Sequence, residues 1–106
     1  MRKRVAITGA GAVSSLGSDW SSIRSGLLDC QNRVRYMHEW DQYPELQTRL
    51  ASPIDDFVLP THYTKKKTPA MGRVAQLGEV AAESAHQTPG LLDDESLRNA
   101  RCGVAF

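Results

Sequence analysis

Apolar residues first gather at Val5-Ala6-Ile7-Thr8, β-branched at three of four positions and halted by Gly9. A short run of this kind predicts a buried strand of an α/β sheet. The small residues from Gly9 to Gly17 follow, and such a loop can turn tightly and let backbone approach backbone. Ser18 is then placed to cap a helix, with Asp19 favourable in its first turn. Trp20, Ile23 and Leu27 fall at i, i+3 and i+7 and predict one apolar face reaching about Leu28. The period lapses over residues 30–67, which Pro44, Pro53 and Pro60 interrupt. The scattered anchors there, Tyr36, Met37, Trp40, Tyr43, Leu50, Ile54 and Phe57, predict an excursion packed against a larger body. Thr68-Pro69 predicts the start of a second helix, because proline at the first helical position loses only an N–H that would lack a partner. Val74, Gly78, Ala81, Ala82 and Ala85 line one side of it, with Met71 and Leu77 beside them, and a face this small permits close contact. Thr88-Pro89-Gly90 ends the helix. Leu91 to Asn99 reads as a polar connection with a helical turn, and Cys102-Gly103-Val104-Ala105-Phe106 as a second buried strand.

This order is complete at neither end of a sheet, and two strands do not make a self-sufficient one. The chain also stops on Phe106 inside an apolar run, whereas domain ends are usually polar and loosely held. The pattern predicts an α/β domain that is incomplete in this chain, and one that folds poorly when isolated.

Composition narrows the function classes. With 106 residues, 41% apolar and 24% charged, the chain has the make-up of a soluble globular protein. Thirteen basic residues against twelve acidic ones leave no global argument for nucleic acid or an anionic membrane. Arg2-Lys3-Arg4 followed by Val5-Ala6-Ile7 imitates the start of a secretion signal, but the apolar run fails at Thr8-Gly9. No segment approaches the ~20 apolar residues of a membrane span, so the reading is cytoplasmic. Cys30 and Cys102 lie far apart without CxxC spacing, which suits two reduced thiols better than a zinc site or disulfide framework. Cys102 has no local feature that would lower its pKa and reads as a buried structural thiol. His38, His62 and His86 form no metal-binding spacing and read as exposed or packing residues. Trp20 and Trp40 read as packing anchors.

Gly9-Ala10-Gly11-Ala12-Val13-Ser14 imitates a dinucleotide fingerprint after a strand. Ser14 stands where the third glycine belongs, the helix starts only near Ser18, and no strand ending in an acid follows some twenty residues on. Cofactor binding is therefore not expected, and a small nucleotide-binding module is the weakest of the readings.

The segment Lys3-Arg4-Val5-Ala6-Ile7-Thr8-Gly9-Ala10-Gly11-Ala12-Val13-Ser14-Ser15-Leu16-Gly17 resembles the start of elongating β-ketoacyl-acyl-carrier-protein synthases. Trp20 sits early in the following helix as a large residue does there. Met71-Gly72-Arg73-Val74-Ala75, Leu91-Leu92-Asp93-Asp94 and Arg101-Cys102-Gly103-Val104-Ala105-Phe106 resemble later parts of that family in the same order. The resemblance implies the N-terminal part, residues 1–106, of a thiolase-like α/β/α/β/α fold, homodimeric when complete. It implies decarboxylative condensation of an acyl thioester with malonyl-acyl carrier protein, in fatty-acid or polyketide synthesis. The family's nucleophilic cysteine and two histidines lie beyond Phe106, so no catalytic residue is expected in this chain and it should be inactive alone. A non-catalytic, chain-length-factor-like partner subunit would show the same opening.

Lys65-Lys66-Lys67 is the notable charge cluster. The family receives its acidic carrier protein on a basic-basic-x-x-Arg-x-Met stretch at this place. Lys65, Lys66 and Met71 match it, while Pro69 replaces the arginine and Arg73 or Lys67 can supply the third contact. The resemblance thus implies a carrier-protein site at Lys65, Lys66 and Arg73. A solvated run of lysines ahead of a helix has the same pattern.

Overall fold

The computed structural model describes residues 2–64, 66, 68–87, 90–99 and 101–105. They divide into two compact units, Ser14–Val58 and Met1–Val13 with Leu59–Phe106.

In the first unit, Ser14 and Gly17 exchange both backbone hydrogen bonds across a tight turn, at 2.9 and 3.1 Å. The Ser14 hydroxyl donates to the Gly17 carbonyl and accepts from the Leu16 amide. Gly17 has φ 144, and a Cβ there would lie 2.7 Å from Ser22 Cβ, so only glycine fits the turn. Helix α1 follows at Trp20–Leu28. Its cap is Asp19 rather than Ser18: one carboxylate oxygen accepts from the Ser22 amide at 2.9 Å and the other from the Ser22 hydroxyl at 2.8 Å. Both residues are cap formers, and the extended backbone falls at Asp19, with φ −132 and ψ 156. At the other end the Cys30 amide donates to the Leu27 carbonyl and the Gln31 amide to Gly26. Cys30 takes φ 52. This is the Schellman closure, with cysteine in the left-handed position usually held by glycine.

The inner side of α1 is the Ile23–Gly26 row rather than Trp20–Ile23–Leu27. Gly26 is buried, and a Cβ there would lie only 3.0 Å from Leu16 Cδ2. Trp20 is 69% exposed and Leu27 is also exposed, so Trp20 is not an anchor within this chain. Glycine wins the inner position because Leu16 fills the space a larger side chain would take.

The excursion that follows is more ordered than its prolines suggest. Strands β1 (Arg35–Tyr36) and β2 (Leu50–Ala51) pair antiparallel, Arg35 with Ala51 and Tyr36 with Leu50. A short 3₁₀ turn covers His38–Trp40. Between them Met37, 7% exposed, donates its amide to the Arg49 carbonyl at 2.7 Å. Trp40, Ile54 and Phe57 are half-buried, whereas Tyr36, Tyr43 and Leu50 are exposed. Asp41 ties this ribbon together. It accepts from the Tyr36 phenol, which raises that phenol's pKa, and its oxygen lies 3.0 Å from Arg49 Nε. That nitrogen lacks hydrogen-bond alignment, so the contact is an ion pair.

In the second unit, helix α2 spans Arg73–Gln87. It starts later than Thr68-Pro69 because Thr68 is engaged in a preceding turn, its amide and hydroxyl both donating to the Thr64 carbonyl at 3.2 Å. The Gly90 amide donates to the Gln87 carbonyl and the Leu91 amide to His86, with Gly90 at φ 71. The expected helical turn in the polar connection is present at Glu95–Leu97, capped by Asp94.

Three expectations fail in this unit. Residues 2–8 and 101–105 form no strand, Val5 and Ile7 are each 94% exposed, and Cys102 is an exposed thiol rather than a buried one. A strand exists only through its pairing, and no described residue pairs with either run. The small-residue face of α2 is used in part. Gly11 lies so close that a Cβ would fall 2.0 Å from the Ala81 carbonyl oxygen and 2.7 Å from the Ala85 nitrogen. Val74 and Gly78 are exposed.

Candidate functional site

The basic segment leads into the N-terminus of α2. Lys66 is exposed within the turns that join Thr64 to Thr68, and Arg73 is the exposed first residue of the helix. Lys65 and Lys67 lie outside the described residues. The Met71 amide donates to the Thr68 carbonyl, and Gln76 closes the entry, its amide donating to Gly72 at 3.1 Å and its side chain to the Met71 carbonyl at 3.1 Å.

The charge placement here runs against helix stability. The N-terminus of a helix carries about half a positive charge and favours acids in the first turn. α2 has none there and opens on an arginine. The arginine thus adds to the positive end of the helix instead of offsetting it.

A cluster absent from the sequence expectations lies just before this segment. Glu83 of α2 lies with both carboxylate oxygens 2.9 Å from His62 Nε2. One of those oxygens also accepts the Tyr63 phenol at 2.7 Å. The hydrogen bonds from Tyr63 and then His62 hold the Glu83 carboxyl below its usual range. Burial, and then the bond to Glu83, push the Tyr63 phenol up to about 12. The partners are 20 and 21 residues apart, so no local spacing announces them. The other histidines have local roles: His38 stands 3.8 Å from Asp41, and His86 Nδ1 lies 2.7 Å from the Ala82 carbonyl.

The Ser14–Val58 unit carries a hollow of about 220 Å³ lined by Ser14, Ser18, Arg33, Arg35, Asp55 and Phe57 among others. Arg35 and Asp55 are paired across it at 2.8 Å. Its volume is below the ~300 Å³ at which ligand pockets usually begin, and its charges neutralise one another. The glycine loop is no better placed for a phosphate: Gly11 abuts the C-terminal half of α2, and α1 begins only at Trp20. Among the described residues no group of three or more His, Cys, Asp or Glu is arranged for a metal ion. No helix among them is long and apolar enough to cross a membrane. Cys102 is an exposed free thiol.

Neither a family model nor a curated protein matches the chain. A solved structure does. The crystal structure of a beta-ketoacyl synthase from Burkholderia phymatum STM815 matches over 98% of this chain, with 44% sequence identity and a TM-score of 0.86. The chain spans 26% of that protein's length. The resemblance to the β-ketoacyl synthases, carried first by the glycine-rich opening and the motifs after it, is thus shown in both sequence and structure.

Proposed function

We propose that this chain is the N-terminal part of a 3-oxoacyl-acyl-carrier-protein synthase with the layered thiolase-like fold, a cytoplasmic homodimer when complete. The complete enzyme joins an acyl thioester to a malonyl unit on acyl carrier protein, with loss of carbon dioxide, in fatty-acid or polyketide synthesis. Its likeness to a beta-ketoacyl synthase along 98% of the chain is the observation that carries this reading. The chemistry needs an activated thiolate and preset hydrogen-bond donors where negative charge develops. On this reading the reacting cysteine and histidines come from elsewhere in the complete enzyme, and the 106 residues alone do not condense.

The contribution of this chain is then scaffold and docking. Lys65, Lys66 and Arg73 receive the acidic carrier protein, drawing it in by long-range attraction. Lys66 and Arg73 are both exposed and Arg73 opens α2 at its positive end, which supports this role.

The test is condensation by the complete enzyme with acyl- and malonyl-carrier-protein substrates. Lys66→Glu should raise KM for carrier-bound substrates several-fold and leave kcat nearly unchanged, with the effect shrinking as salt is added. Small thioester substrates without the carrier should be unaffected. Absence of condensation in the unaltered enzyme would refute the activity, and an unchanged KM in Lys66→Glu would refute the docking role.

A further inference from the structure

The loop between His62 and Arg73 returns to the helix that it precedes. One end is fixed by chain continuity at Arg73. The other is fixed by the bonds of His62 and Tyr63 to Glu83, ten residues further along α2. At 1.5 Å per residue these two anchor points are about 15 Å apart along the helix. Eleven residues free at one end would reach roughly 35 Å. The Glu83 contacts remove that freedom, and the Thr64–Thr68 and Thr68–Met71 turns take up the remaining slack.

We infer that Glu83 is a positioning residue: through His62 and Tyr63 it holds the loop bearing Lys66 alongside α2, and so aims that lysine at an acidic partner. The inference rests on the docking role proposed above. Glu83 does not itself touch the partner; it acts on where the cation stands.

Electrostatics and positioning predict opposite signs here, which makes the idea testable. Glu83→Ala deletes a negative charge, and charge alone would tighten binding of an acidic protein. Loss of the anchor weakens it instead. Affinity for purified acyl carrier protein is measured with the complete enzyme at low salt, for Lys66→Ala, Glu83→Ala, the pair combined, and Tyr63→Phe. Glu83→Ala should weaken binding roughly threefold to tenfold, the scale of coupling between residues that act together. Tyr63→Phe, which keeps charge and nearly all volume, should weaken it in the same direction. The combined variant should bind little worse than Lys66→Ala alone, because a lysine that is absent cannot be misplaced. Glu83→Gln retains an acceptor for the Tyr63 phenol and should restore part of the affinity.

Unchanged or tighter binding by Glu83→Ala, with the circular dichroism spectrum intact, overturns the inference. If that variant does not fold, Tyr63→Phe decides, and normal affinity there overturns it equally. Weakening by Lys66→Ala without weakening by Glu83→Ala refutes positioning alone. No effect of Lys66→Ala removes the docking role and the inference with it.

Discussion

Replacing Gly11 by alanine sets two effects of opposite sign against each other. Alanine has fewer unfolded conformations, and where the native backbone accepts it the gain is about 0.4–1 kcal/mol. The Gly11 backbone does accept it, since its φ lies outside the left-handed region that favours glycine. The added methyl, however, would stand 2.0 Å from the Ala81 carbonyl oxygen, 2.7 Å from the Ala85 nitrogen and 2.9 Å from Ser84 Cβ. Ordinary carbon contacts are about 3.5–4 Å, so the loop and α2 must separate by more than about 1 Å. Overpacking of this kind costs about 1–3 kcal/mol, and the upper end applies because two of the three obstacles are backbone. The net loss is about 2–2.5 kcal/mol. The assay is urea unfolding of the complete enzyme followed by circular dichroism, reading the midpoint because large proteins seldom unfold in two states. The midpoint should fall in Gly11→Ala, and a second change, Ser84→Gly, should not restore it, since trimming a side chain leaves the Ala81 carbonyl in place. An unchanged midpoint, or rescue by Ser84→Gly, would refute the reasoning.

Cys30→Gly should raise the unfolding midpoint slightly, by the equivalent of about 0.5–1 kcal/mol, because the left-handed turn after α1 strains any residue with a Cβ more than glycine; a lower midpoint would contradict it. Asp19→Ala should speed hydrogen exchange of the Ser22 amide while Asp19→Asn largely preserves its protection, because asparagine also caps. Asp19 is held below the usual aspartate range chiefly by the Ser22 amide, and Glu83 below the glutamate range chiefly by Tyr63. A depressed carboxyl adds stability above its unfolded pKa and loses it as pH falls through the folded one, so Glu83→Gln should flatten the decline in stability below about pH 4.5. The Tyr63 phenol is raised instead, so its contribution is whole below pH 10 and is lost as pH climbs towards 12; Tyr63→Phe should abolish that alkaline loss in a pH series of melting curves.

Local rules carried the helices well and the strands poorly, for reasons visible in particular residues. α1 ends at Leu28, where its apolar spacing stops. Its start differs by one residue because Ser18 and Asp19 are both competent caps and side-chain identity alone does not choose between them. α2 begins four residues after Pro69 because Thr68 is claimed by Thr64, a competition between turn and helix that propensity does not resolve. Val5-Ala6-Ile7 has strand composition, but composition expresses fitness for a pleated surface, and the pairing that makes a strand is not local. The same distinction separates the parts of the candidate site. Lys66 and Arg73 entered as candidates only through the resemblance of their segment to the family's basic stretch. Glu83 was hidden because its partners lie 20 and 21 residues away.

The uncovered Val5 and Ile7 bear on how copies of this polypeptide meet one another. Both stand 94% exposed, and a β-branched stretch left open in this way can pair with the same stretch of another copy. Arg2, Lys3 and Arg4 stand directly before it, and like charges brought side by side repel, so these three cations act as gatekeepers that discourage such stacking.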